Sequence, residues 1–181
     1  MSDARGRTPL VLLVIVLAAC GGNAPSAAPS SSPNASPVPL HVTSSGNGRY
    51  TTLTEMKRGR RLYTIRATSF VADTTEGDGG NGSFDAPEIT FVDRSGGSTV
   101  ATAPKAVLTG ADKSVLMTGG VRARSQDGNV LHCDRLRYDG QSERVHGEGN
   151  VRLQTPAGLT LVGDTLDGDA RLRNVLVQTK R

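Results

Sequence analysis

The chain has 181 residues, of which 36% are hydrophobic and 3% aromatic, with 22 Gly, no Trp and a formal charge of +4. Its charges are interspersed rather than gathered into one basic tract, which excludes nucleic-acid binding through such a tract. A core with so few aromatics depends on Val, Leu, Ile and Ala, and abundant Gly without long helix-stabilising runs points to turns, bulges and β-structure.

The N-terminus reads as an address. Arg5 and Arg7 form a positive n-region, and Leu10 to Ala19 is an uninterrupted apolar run. At a rise of about 1.5 Å per residue, such a run covers about half of a ~30 Å bilayer core, too little for a transmembrane span and enough for a signal-peptide h-region. The run ends Leu17-Ala18-Ala19-Cys20-Gly21, which resembles the lipobox of bacterial lipoproteins. That resemblance implies cleavage after residue 19, acylation of Cys20 and membrane attachment through the lipid. Loss of Arg5, Arg7 and Asp3 with the signal would leave a net charge of one less than the +4 of the whole chain. With Cys20 acylated, the remaining cysteine, Cys133, has no intrachain partner and reads as a small buried hydrophobe.

Residues 20–47 are dominated by Pro, Ser, Ala and Gly and read as an extended tether with no chemistry of its own. From residue 48 to 181 the pattern changes to short alternating runs, such as Leu62–Ala67, Glu88–Val92 and Asn150–Gln154. Turn signals separate them at Gly96-Gly97, Asp127-Gly128, Asp139-Gly140, Pro156-Ala157-Gly158 and Asp167-Gly168. The basic cluster Lys57, Arg58, Arg60, Arg61 fits a solvated hairpin turn better than a site of attraction to an anionic headgroup or phosphate.

An internal repeat with a period of about 30 residues organises this domain. Ser114–Asp139 superposes on Arg144–Asp169 with nine identities: Val115/Val145, Gly119/Gly149, Val121/Val151, Arg122/Arg152, Gly128/Gly158, Leu131/Leu161, Asp134/Asp164, Leu136/Leu166 and Asp139/Asp169. Looser copies lie upstream, around Ile89 and around Leu53. Each unit reads as strand, turn, strand. One hairpin cannot bury its apolar face alone, so about four units must stack, giving about eight strands in an open-ended, twisted β-roll. Gly119, Gly120, Gly147 and Gly149 mark places where a strand can bulge or turn a corner.

No catalytic constellation emerges. His132 and Cys133 are adjacent on a strand and point to opposite faces, so they do not share a metal. The recurring Asp134, Asp139, Asp164 and Asp169 fit capping of turns better than acid catalysis, and the Gly-rich run Glu76–Gly82 fits a loop. The reading is of a non-enzyme without cofactor or metal.

Four segments carry a resemblance: Leu53-Thr54-Glu55-Met56 with Arg61–Ala67; Asp85–Phe91, which holds a P-x-[LI]-x-F strand; Thr102-Ala103-Pro104-Lys105-Ala106; and Leu131–Asp139, which follows an L-x-[ST]-[DE]-x-L-x-Y-D signature with Cys133 in the Ser/Thr place. Through them the domain resembles the periplasmic lipopolysaccharide-export bridge proteins, the LptC/LptA group, and LptC most of all. The resemblance covers about residues 50–178. The sequence departs from the family in having a lipobox where its members typically carry an uncleaved membrane helix. The resemblance implies an all-β jellyroll through whose apolar groove the acyl chains of lipopolysaccharide or a similar glycolipid pass. It also implies neighbours joined edge to edge: an inner-membrane ABC transporter, and the next periplasmic bridge protein by β-strand addition. The expected groove lining is Tyr63, Ile65, Ile89, Phe91, Val115, Val121, Leu131, Val151 and Leu161. Expected edge contacts are Leu53 and Met56 toward the transporter, and Leu172, Val175 and Val177 toward the next bridge protein. The expected location is the periplasm, anchored more readily to the inner than to the outer membrane. The alternative is a lipoprotein scaffold with a packed β-roll core that binds envelope proteins through its edge strands.

Overall fold

The computed structural model describes residues 42–43, 50–73 and 80–180. The chain divides into residues 1–35 and residues 36–181. The expected signal, Cys20, nearly all of the tether and residues 76–79 of the expected loop lie outside the described residues, while Asn81 and Gly82, also expected in that loop, open β5.

Among the described residues, thirteen antiparallel strands form one continuous sheet. In chain order they are β1 (Val42–Thr43), β2 (Thr51–Lys57), β3 (Arg60–Ala67), β4 (Ser69–Asp73), β5 (Asn81–Asp85), β6 (Glu88–Val92), β7 (Ser98–Thr102), β8 (Lys105–Thr109), β9 (Ser114–Ser125), β10 (Val130–Asp139), β11 (Arg144–Gln154), β12 (Thr160–Asp169) and β13 (Val175–Gln178). The count exceeds the expected eight because several long strands are broken where they turn a corner. Thr68 separates β3 from β4, Ala86-Pro87 separates β5 from β6, and Ala103-Pro104 separates β7 from β8. Pro has no N–H to give a ladder, so the two Pro-containing breaks fall where pairing is interrupted. The cross-corner bonds are made instead by Ala86 N–H to the Pro104 carbonyl at 2.8 Å and Ala103 N–H to the Pro87 carbonyl at 3.4 Å.

Strand β9 crosses the corner unbroken. Its first half pairs with β8, from Ser114↔Thr109 to Thr118↔Lys105, and its second half with β7, from Arg122↔Thr102 to Ser125↔Thr99. Between the halves Gly119 and Gly120 hold φ of 91° and 94°, and a Cβ on Gly119 would lie 3.1 Å from Pro104. Only glycine reaches that backbone region without strain. Strands β10, β11 and β12 bend at the same line, with register shifts at His132/Arg135 and Glu148/Val151. The sheet thereby folds into two layers. One contains β2, β3, β6, β7 and the halves of the long strands that pair on from β7; the other contains β4, β5, β8, the remaining halves and β13.

The first long hairpin begins its two strands at Ser114 and Val130, the second at Arg144 and Thr160. The expected turn at Asp167-Gly168 is corrected: both residues lie within β12 and pair with Leu176 and Val175, and the chain reverses later, at residues 170–174. Gly168 serves there to let Val175 approach, since a Cβ would come within 2.8 Å of it.

Candidate functional site

Both layers turn one apolar face inward, as the alternation of each strand requires. The facing side chains form one continuous core cluster running through both layers and across the corner. Eight of the nine expected lining residues are buried in it: Tyr63, Ile65, Ile89, Phe91, Val115, Val121, Leu131 and Val151. Leu161 is partly buried and packs against the same cluster. Sequence reasoning missed Met117, Leu136, Tyr138, Leu153 and Leu166, which share this interior.

An aromatic cluster joins the layers. Phe91 stacks on Tyr138 from the opposite layer, with centroids 4.6 Å apart and planes at 22°. Tyr63 meets Tyr138 edge-on at 5.8 Å and Phe91 edge-on at 6.3 Å. All three rings are fully buried. Such pairs contribute about 0.5–1.5 kcal/mol each beyond the area they bury. The Tyr63 and Tyr138 hydroxyls are buried without a protein hydrogen-bond partner. Burial, with the nearby Glu55 charge, pushes the Tyr63 hydroxyl far above its ordinary range. Burial, with Glu143, does the same for Tyr138, so both are neutral donors.

Where the layers end opposite the corner, charged side chains tie them together. Glu143, in the β10–β11 turn, has a side chain only 6% exposed and meets three cations from the other layer: Arg60 at 2.7 Å, Arg94 at 3.4 Å and Lys57 at 3.7 Å. Lys57 also donates to the carbonyls of Gly140 at 2.9 Å and Gln141 at 2.8 Å. Lys113 in the β8–β9 turn pairs with buried Glu55 on β2. Arg171 in the β12–β13 turn donates to Asp127 through Nε at 3.1 Å and Nη2 at 2.6 Å, and lies 3.6 Å from Asp93.

The remaining polar candidates settle into structural roles. Asp139 accepts from the amides of Gln141 and Ser142, both at 2.8 Å, and those bonds, the Ser142 amide first, hold its carboxyl below the usual range. Asp169 accepts from Arg171 N–H at 3.1 Å and Arg173 N–H at 3.0 Å. Asp134 and Asp164, also expected to cap turns, lie within β10 and β12 instead; Asp134 accepts from Asn150 Nδ2 at 2.8 Å and Asp164 from Lys180 N–H at 2.7 Å. His132 is exposed, whereas neighbouring Cys133 is buried and its thiol is pushed up to about 12 by that burial. Among the described residues no three metal-ligating side chains come together.

The ends of the strand order are β1–β2 and β12–β13. Met56 is exposed and Val175 and Val177 are partly buried there, while Leu176, Val162 and Leu159 leave apolar surface open. Leu53 and Leu172 are corrected: both point into the core, at 0% and 2% exposure, and offer no side chain to a partner. Leu53 is moreover paired with Val42 of β1.

The family model for lipopolysaccharide-assembly, LptC-related proteins matches residues 10–180. The chain belongs to this family. LptC-related proteins are non-enzymatic components of lipopolysaccharide transport and act as a periplasmic bridge, with lipopolysaccharide and other Lpt bridge components as their partners. No curated protein sequence matches the chain. The crystal structure of LptH from Pseudomonas aeruginosa, described as the LptA-homologous periplasmic component of the lipopolysaccharide transport device, is similar in fold at 16% identity and a TM-score of 0.53, over 65% of this chain and 82% of that one.

Proposed function

We propose that this LptC-related chain passes the acyl chains of lipopolysaccharide, or of a similar glycolipid, between its two layers. The observation that carries the reading is the single apolar interior that runs through both layers and across the corner. Apolar burial is nondirectional, so chains can slide along such a surface without a fixed register. Tyr63, Ile65, Ile89, Phe91, Val115, Val121, Leu131, Val151 and Leu161 are the contacts. The edges at β1–β2 and β13 supply unpaired backbone groups for strand addition, the first toward an inner-membrane ABC transporter and the second toward the next bridge protein. Cys20 carries the lipid that holds the protein to the inner membrane, with residues 20–47 as tether.

A packed scaffold that binds envelope proteins only through its edges is the second reading, and the fully buried cluster of Tyr63, Phe91 and Tyr138 favours it. Photocrosslinking in the native host separates the two, with photoreactive residues at Phe91 and at the exposed edge residue Met56 and a control at Ser31. A glycolipid adduct at Phe91 and none at Ser31 supports transport. Protein adducts at the edges with no lipid at Phe91 would replace transport by the scaffold.

A further inference from the structure

The three cations around Glu143 form an anion site that the chain fills with its own carboxylate. Lys57 and Arg60 come from the β2–β3 hairpin and Arg94 from the β6–β7 turn, so residues far apart in sequence converge on one group. The carboxylate does not satisfy every donor: Arg60 Nη1 is buried without a hydrogen-bond partner. An open cleft of about 360 Å³ adjoins Glu143, between the β6–β7, β10–β11 and β12–β13 turns. Arg94, Arg144, Arg173 and Ser142 line it. Arg144 makes no ion pair among the described residues, and Arg173 only a 3.7 Å contact to Asp127. The acidic groups in the cleft, Asp93 and Asp169, are occupied: Asp93 accepts from the Ser95 and Gly97 amides and faces Arg171, and Asp169 accepts from four donors of its own turn.

We infer that this cleft binds a phosphate-class anion, which displaces Glu143 from Arg60, Arg94 and Lys57 and thereby loosens the tie between the two layers. A phosphate monoester has three oxygens where the carboxylate has two, and arginine forks match it bidentately. The anion is either free phosphate or the phosphate of an amphiphile's headgroup. The inference rests on the transport reading in one respect: chains enter the interior only if the layers part, and Glu143 lies on the line where they are tied.

The test is titration calorimetry on the full chain held in dodecyl maltoside, with inorganic phosphate and with dodecyl phosphate as separate titrants and sodium chloride at matched ionic strength as the blank. Phosphate should bind the wild type. Glu143→Gln, which removes the competing charge and keeps the shape, should tighten binding about tenfold, and Arg94→Gln with Arg144→Gln, both at exposed positions, should weaken it about tenfold. Tighter binding of dodecyl phosphate than of inorganic phosphate assigns the site to a headgroup; equal binding assigns it to the free anion. Equal affinity across the wild type, the Glu143 variant and the arginine pair, or heats matched by chloride, would overturn the inference. If Glu143→Gln does not fold, the arginine pair alone decides. A glycolipid adduct at Phe91 with no phosphate binding would remove this site and leave the transport reading standing.

Discussion

Replacing Tyr138 by Phe should stabilise the protein. The Tyr138 ring lies between Phe91 and Tyr63, at 4.6 and 5.8 Å between centroids, and its hydroxyl is buried with no protein partner. An unpaired buried hydroxyl carries a desolvation penalty of about 1–3 kcal/mol, and Phe removes it while keeping both ring contacts. For a folded region of this size each kcal/mol moves Tm by about 3–5 °C, so Tyr138→Phe should raise Tm by about 3–15 °C. Tyr138→Leu removes the same hydroxyl but also the stacked and edge-on pairs and much of the ring volume, and should lower stability by about 2–4 kcal/mol. Tyr63→Phe should act in the same direction as Tyr138→Phe, and the double variant should deviate from additivity because the rings touch. Urea denaturation followed by circular dichroism measures all four. A loss of about 1 kcal/mol or more for Tyr138→Phe would show that the hydroxyl has a strong partner inside, and the account of the interior as close-packed ring against ring would fall.

Gly119→Ala should destabilise by about 1–3 kcal/mol, because φ is +91° and the new Cβ would lie 3.1 Å from Pro104; an unchanged urea midpoint would mean that the corner can relax. His146 should make stability depend on pH. Its ring is hydrogen-bonded to Asp167 at 2.7 Å and to Glu148 at 3.2 Å, and the Asp167 bond chiefly raises its pKa, so the folded state holds the proton more tightly than the unfolded chain. That contribution is complete below about pH 6.5 and is lost as pH rises through the raised value. His146→Asn should flatten the difference in urea midpoint between pH 6 and pH 8, and an identical slope in wild type and variant would contradict the assignment. Cys20→Ser should abolish incorporation of labelled palmitate in the host, and continued labelling would place the lipid elsewhere or dispense with the lipobox.

The interior was largely legible because strand alternation is a local property. Tyr63, Ile65, Ile89 and Phe91 follow period two within single strands, and all four are buried. Tyr138 escaped because β10 gains a residue at the corner. Leu131 and Cys133 face inward, then Leu136 and Tyr138, so the apolar spacing widens from two to three across Asp134-Arg135, where the pairing register shifts. That widening was visible in the sequence as a bulge signal. The same extra residue separates Leu161 from Leu166 in β12. Asp167-Gly168 misled for the opposite reason: a dipeptide that reads as a turn sits inside a strand, where the glycine makes room for Val175.

The ties between the layers were not legible, because they join residues far apart in the chain. The cluster Lys57, Arg58, Arg60, Arg61 was conspicuous in the sequence, yet nothing near it indicated that Glu143 would reach it from the β10–β11 turn. What brings them together is the meander. Lys113 and Glu143 occupy the same place in the turns that precede β9 and β11, and both adopt positive φ, 55° and 61°. From these two positions the side chains reach the β2–β3 hairpin with opposite charge, Lys113 to Glu55 and Glu143 to Lys57 and Arg60. The hairpin is therefore held at two neighbouring points by pairs of opposite polarity. Exchanging the charge at one turn alone would place like charges together there and leave the other pair intact. A partly buried pair broken on one side costs more than the pair contributes, so each tie reinforces a single register of the hairpin against the turns. An anion that competes for Lys57 and Arg60 would loosen one tie and leave in place both Lys113–Glu55 and the pairing of β3 with β6 from Tyr63 to Arg66.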